Sequence, residues 1–224
     1  MRLNADFTRR AVVTPDAYHW VDSPTPGVER MMLDRVGEEV ARATSLVRYA
    51  PNSHFPRHEH GGGEEILVLT GEFADEHGRY PAGSYLRNPI GTAHAPRVGE
   101  QGATIFVKLH QFSPADTEQK VIDTRTADWQ PGPEEGLEVM PLHDFGDEHV
   151  VLERWEPSVR LAPREYRGGA EILVLEGTLL DEHGSYPAGS WLRCPPGSRH
   201  APVSGAEGAR VYVKTGHLAP AERG

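Results

Sequence analysis

The sequence predicts an all-β chain made of two tandem antiparallel sandwiches or barrels, and three observations carry that expectation. Glu65 to Pro96 and Glu171 to Pro202 align without gaps at an offset of 106, with 22 of 32 positions identical. Short segments rich in β-branched and aromatic residues alternate with turns containing Gly, Pro and Asp. No amphipathic helical pattern of convincing length appears anywhere along the chain. Each unit is domain-sized, too long for a solenoid module, so the chain reads as a tandem duplication.

The elements follow in order. The leader up to Asp16 reads as weakly ordered. Trp20, Gly27, Glu29, Met31 and Leu33 match Trp129, Gly136, Glu138, Met140 and Leu142 at an offset of 109, and the change from 106 marks a loop indel. Ala43 to Tyr49, Ile66 to Thr70, Ser84 to Arg87 and Thr104 to Leu109 are predicted strands. Pro-Ala-Gly at Pro81–Gly83, repeated at Pro187–Gly189, sits where a tight turn belongs. A polar stretch from Ser113 to Gln119 marks the junction. The expected boundaries are a leader over 1–16, a first unit over 17–114, a second over 115–218 and a weakly ordered tail over 219–224.

Composition excludes several function classes. With 33 Asp+Glu against 23 Lys+Arg the net charge is −10, and such a surface repels phosphate backbones, so nucleic acid is excluded as a partner. No stretch approaches the roughly 20 apolar residues of a membrane span, and Met1–Arg10 lacks the apolar core of a signal peptide; a cytoplasmic protein is expected. One cysteine, Cys194, makes neither an internal disulfide nor a Cys-rich zinc module, and it is read as a buried, inert thiol. Any metal must therefore be held by the 12 histidines and by carboxylates.

His58 and His60 stand two apart, so on a strand both imidazoles face the same way. Gly61, Gly62 and Gly63 are expected to turn the chain back so that Glu64 opens a strand antiparallel to the histidines, with His94 joining from beyond the Pro89–Gly91 turn. Three imidazoles and one carboxylate suit one borderline divalent ion per chain and leave coordination positions open. The two halves separate Glu64 from Glu65. Where the first has His58, His60 and Glu64, the second has Arg164, Tyr166 and Ala170, whereas Glu65 persists as Glu171. A set that vanishes together worked together; Glu65 has another role, in pairing or packing at a strand start. The second half keeps His200, but the guanidinium of Arg164 has no lone pair to donate, so that half is read as a degenerate, metal-free site. His54, His110 and Gln111 are candidates for the mouth of the first pocket. His77 and His183, shared in Asp-Glu-His-Gly, are assigned to hairpins. Arg48/Arg154 and Lys108/Lys214 are read as sheet charges.

The string His-x-His-x3-Glu-x6-Gly over His58–Gly71, followed by Gly-x5-Pro-x-Gly-x2-His over Gly83–His94, resembles the two motifs of the cupin superfamily. Two positions depart from it: Asn52 stands for an expected Gly and Val98 for an expected Asn. GGGEEILVL, ADEHGRYPAGSYLRNP, GTAHAP and FVKL resemble more specifically the cupin domain of ChrR-type zinc-dependent anti-sigma factors of the singlet-oxygen response. The resemblance implies two tandem double-stranded β-helix (jelly-roll) barrels, with metal at His58, His60, Glu64 and His94. Zinc ranks first as the ion, with Fe(II), Mn(II) and Ni(II) as alternatives. It implies a stand-alone bicupin that senses a small molecule or an oxidant in stress-responsive transcription control. The sigma-binding helical domain with its His-x3-Cys-x2-Cys motif is not found here, so sigma-factor binding is not carried over. Related cupins are iron dioxygenases of diketones and hydroxyaryl ketones, which makes an Fe(II) dioxygenase the alternative. A small-molecule ligand and a homodimer are the partners left open.

Overall fold

The computed structural model describes residues 1–38 and 40–218; the expected tail over 219–224 lies outside the described residues. The leader is not loose. It contributes β1 (Arg2–Leu3) and β2 (Ala11–Val13), which belong to different compact units: one comprises Met1–Ala5 with His19–Ala127, the other Asp6–Tyr18 with Asp128 onward. Its backbone groups are held by sheet pairing, which local composition does not reveal.

The first unit continues with β3 (Trp20–Asp22), β4 (Val28–Gly37), β5 (Ala41–Tyr49), β6 (His58–Glu59), β7 (Glu64–Ala74), β8 (Arg79–Pro81), β9 (Ser84–Asn88), β10 (Ala93–His94), β11 (Arg97–Leu109) and β12 (Lys120–Asp123). Its larger sheet runs β1-β4-β5-β11-β7-β9-β12, with β3 on β4 and β8 on β7, and β10 and β6 form a separate two-stranded sheet. All pairings are antiparallel. Lys120–Asp123, beyond the expected junction at 113–119, pairs with Ser84–Arg87, so the first compact unit takes in the chain to Ala127.

The second unit repeats the plan with β13 (Gln130–Pro131), β14 (Leu137–Phe145), β15 (Glu148–Trp155), β16 (Arg164–Tyr166), β17 (Ala170–Asp181), β18 (Gly184–Pro187), β19 (Trp191–Cys194), β20 (Ser198–His200) and β21 (Val203–Thr215). Here the sheet order is β13-β14-β15-β21-β17-β19-β2, with β16 and β20 apart. The two units are thus jelly-roll barrels of the same strand plan.

In the first unit Val28, Val47, Ile66, Val68, Phe73, Ile105 and Val107 form the core; Leu137, Ile172, Val174, Val211 and Val213 do so in the second. Buried charges sit at sheet positions present in both halves. Glu65 is ion-paired with Arg87 at 2.9 Å, and Arg87 also reaches Asp116 at 2.5 Å. Lys108 donates to Thr44 at 2.9 Å and Lys214 pairs with Glu148 at 2.8 Å. Arg48 lies over Trp20 at 4.0 Å and Arg154 over Trp129 at 4.6 Å, matching the sheet role expected for them. Cys194 is buried, and burial pushes its thiol up to about 11, so it stays protonated and inert at neutral pH. Asn52 sits at φ 59, which explains the departure from glycine: asparagine is among the few residues that tolerate this left-handed region.

Candidate metal centre

The ligand strands are positioned by a pairing that the chain order hides. β6 does not fold back on β7; it pairs with β10, placing His94 directly opposite His58. Glu64 arrives from the main sheet, between Asn88 and Leu109. Gly61–Gly63 therefore is not the turn of a hairpin that sets Glu64 against the histidines. Its role is close approach. A Cβ on Gly62 would stand 2.2 Å from the His110 ring, and one on Gly63, at φ +75, 2.3 Å from the Phe112 ring. Gly61 has no such constraint, its Cβ meeting only His110 Cε1 at 3.8 Å.

One ligand atom from each of His58, His60, Glu64 and His94 lies within 4.8 Å of all the others. Nε2 of His60 is 3.2 Å and Nε2 of His94 is 3.3 Å from Glu64 Oε2. Neighbouring ligand atoms on an ion with bonds of roughly 2.0–2.2 Å stand about 3.0–3.5 Å apart, so these separations suit a shared cation. They are not ion pairs. The hydrogen-bond network assigns the ring protons to Nδ1: His58 donates to the Pro56 carbonyl at 2.9 Å, His60 to Thr92 Oγ1 at 2.9 Å and His94 to Asp75 Oδ2 at 3.1 Å. Thr92 spends its own proton on the Pro89 carbonyl, which leaves its oxygen free to accept from His60. Each Nε2 then presents a bare lone pair to the centre. The Nε2 atoms of His60 and His94 are buried with no hydrogen-bond partner, an arrangement costing about 1–3 kcal/mol per group unless a Lewis acid satisfies it. The residues therefore fit a divalent ion.

The electrostatics agree. Burial, with repulsion from His94 and His58, pushes His60 down to about 3, and burial lowers His94 against the opposing hydrogen bond from Asp75. Burial raises Glu64 to about 7, with the Asp75 charge adding and the Asn88 hydrogen bond opposing. Without a cation the cluster is thus driven toward neutrality; a dication reverses the preference of Glu64.

A cavity of about 240 Å³ adjoins the cluster, walled by Val47, Tyr49, Phe55, Ile105 and Val107 and reached by His58, His60 and Glu64. Of the expected mouth residues only His110 reaches it. His54 forms a backbone bridge with Arg97, and the Gln111 amide is turned onto the Ala43 carbonyl at 2.8 Å and the Thr44 hydroxyl.

The family model described as the ChrR cupin-like domain matches the chain twice, over residues 8–113 and 117–219. The chain belongs to the ChrR cupin-like domain family. A search of curated proteins found no match. Solved structures share the cupin fold. A protein of Nostoc punctiforme provisionally assigned as a dioxygenase has a TM-score of 0.77 at 16% identity, covering 96% of this chain and 85% of its own. A Pseudomonas aeruginosa protein provisionally assigned as glyoxylate-induced has 0.74 at 17%, covering 92% and 87%. Oxalate decarboxylase of Bacillus subtilis, with Mn(II) centres, has 0.61 at 14%, covering 94% and 78%.

In the second cupin the equivalent residues serve other ends. Arg164 stands opposite His200 in the β16–β20 register, but its guanidinium is turned to Glu153 at 2.6 Å, and Glu153 also accepts from the Trp155 indole at 3.0 Å. His200 uses Nε2, not Nδ1, to reach Asp181, at 2.9 Å, and Arg10 holds the same carboxylate oxygen at 2.7 Å. Tyr166 and Ala170 are buried beside Cys194.

Sequence reasoning missed Asp75, Asn88 and Thr92, which orient the ligand atoms. Asp75 was read as part of a hairpin, and it does accept from the His77 and Gly78 amides, at 2.7 and 3.0 Å; its second oxygen holds His94. Asn88 carried a usable signal, since Cys194 replaces it in the half without the ligand set. No helix among the described residues is long and apolar enough to cross a membrane.

Proposed function

We propose that the first cupin holds one divalent ion through His58, His60, Glu64 and His94 and takes up a small molecule beside it. On this reading the protein is a sensor or regulatory module for a small molecule or an oxidant, linked to stress-responsive transcription control. The observation that carries it is the convergence of two orphaned, buried Nε2 atoms and a buried carboxylate beside a cavity. Pro56, Thr92 and Asp75 would fix the imidazole tautomers, as outer-sphere partners commonly do. Asn88 would hold Glu64. Four protein ligands leave one or two positions on a five- or six-coordinate ion, and the cavity is where a further ligand would enter. The ChrR-type family match supports the sensing role. Zinc is the ion this reading favours, and sigma-factor binding stays outside it.

A second reading, an Fe(II) dioxygenase acting on a chelating ketone or diketone, is favoured by the apolar walls of the cavity, which would shield a bound substrate from water. Fe(II) would supply the redox chemistry with oxygen, and the chain would bind and orient the substrate. Elemental analysis of protein purified without added metal tests both readings. Zinc at one per chain is expected; iron at one per chain would move the assignment to the oxygenase, and no bound metal would refute both.

A further inference from the structure

His110 follows β11 in a left-handed backbone conformation, at φ 56, and its counterpart at the offset of 106 is Gly216, at φ 82. The turn is the same in both cupins. The amides of His110 and Phe112 donate to the Gly63 and Gly62 carbonyls at 3.1 and 3.2 Å, and those of Gly216 and Leu218 donate to Gly169 and Gly168 at 3.0 and 2.9 Å. Glycine adopts this conformation without steric cost, whereas the Cβ of a histidine crowds the neighbouring carbonyl oxygen. The cupin with the complete ligand set thus carries a strained histidine where the other, lacking the equivalents of His58, His60 and Glu64, has the unstrained residue. Backbone strain of this kind collects at ligand sites.

The ring is held against the glycine loop that joins two of the ligands. Cβ atoms on Gly61 and Gly62 would stand 3.8 Å from Cε1 and 2.2 Å from Nδ1 of His110, so the imidazole packs on the chain between His60 and Glu64. There it lines the cavity of about 240 Å³ beside His58, His60 and Glu64, close enough for its charge to add to the lowering of His60. The three ligand histidines commit Nδ1 to Pro56, Thr92 and Asp75. Neither ring nitrogen of His110 has a protein hydrogen-bond partner among the described residues. A neutral imidazole always carries one N–H, so this ring offers a donor to whatever occupies the cavity.

We propose that His110 donates a hydrogen bond to a small anion bound at an open coordination position of the metal held by His58, His60, Glu64 and His94. The proposal rests on the metal-site reading above and names its ligand class. An anion such as a carboxylate or azide binds the ion through one atom and keeps lone pairs for an N–H, whereas a neutral ligand bound through its only donor atom keeps none. His110 serves as the specificity residue that separates the two.

The full chain loaded with Co(II) tests it, with azide and pyridine as probes of the visible spectrum. Wild type should take up one Co(II) and respond saturably to azide. His110→Gly should keep Co(II) and pyridine affinity within about twofold, yet bind azide about 10–100-fold more weakly, as befits loss of a hydrogen bond to a charged group. Its urea midpoint should not fall, because glycine suits φ 56. His110→Asn, which tolerates the left-handed region and keeps an N–H donor, should recover part of the azide affinity, and His110→Ala serves in place of His110→Gly should the latter not fold. Equal azide affinity in wild type and His110→Gly, or an equal loss for azide and pyridine, overturns the proposal. Loss of Co(II) affinity or a lower urea midpoint in step with the azide loss also overturns it, making His110 a structural residue. Failure of wild type to take up Co(II) refutes the metal reading itself, whereas a Co(II) protein whose azide response ignores residue 110 refutes the role of His110 alone.

Discussion

Replacing Glu64 by Gln keeps the side-chain shape and removes only its ability to ionise, which makes the cost of that charge measurable. Glu64 is buried and raised to about 7 from an ordinary 4.5, a gap of about 3 kcal/mol if the carboxylate is ionised in the metal-free fold. The folded-state value lies above the unfolded one. The neutral carboxyl's contribution is therefore fully present below about 4.5 and is lost as pH rises through about 7. Chelator-treated wild type should accordingly lose stability relative to Glu64→Gln by about 2–3 kcal/mol between pH 5 and pH 8. Urea titrations read by hydrogen exchange on β7 and β11 peptides follow the first cupin by itself. Adding zinc should reverse the order, since an ion at a hundredfold excess over Kd stabilises by about 2.7 kcal/mol and the variant offers it only a neutral amide. A stability gap that does not change with pH, or equal zinc affinity in both proteins, would refute the assignment of Glu64 as the ligand carboxylate.

Four further outcomes are expected. Glu65→Ala should still bind one metal but destabilise the fold by about 3 kcal/mol in a urea titration, because it removes a partner from the fully buried Arg87. Asp75→Asn should weaken zinc about 10–100-fold in a chelator competition by disturbing the His94 tautomer, with the hairpin amides still able to donate to its Oδ1. Calorimetry in buffers of different ionisation enthalpy should find that zinc binding at pH 6 releases about one proton more from wild type than from Glu64→Gln, an excess that vanishes by about pH 8.5. In the second cupin, Arg164→His, Tyr166→His and Ala170→Glu alone would strand Glu153. Adding Glu153→Val, the residue of the first half, should restore stability and raise the metal count from one to two; adding Arg167→Gly should not help further, since its counterpart Gly61 tolerates a Cβ. A count of one in the folded fourfold variant would show that the halves differ in more than these positions.

The sequence by itself determined the duplication, the antiparallel β class and the four candidate ligands. These rest on patterns that repeat within the chain: turn residues, strand-like runs, and a group of three residues lost together in one half while Glu65 stayed. The role of Glu65 was legible for the same reason, and its ion pair with Arg87 bears it out. Only the tertiary structure decided which strand His58 faces, because sheet pairing joins residues distant in sequence and β10 outcompetes the nearer β7. The same non-locality hid the strands in the leader and the pairing of Lys120–Asp123 with Ser84–Arg87, both of which depend on partners far along the chain. It also hid Asp75, one of whose oxygens makes a local turn while the other reaches His94 on a strand distant in sequence.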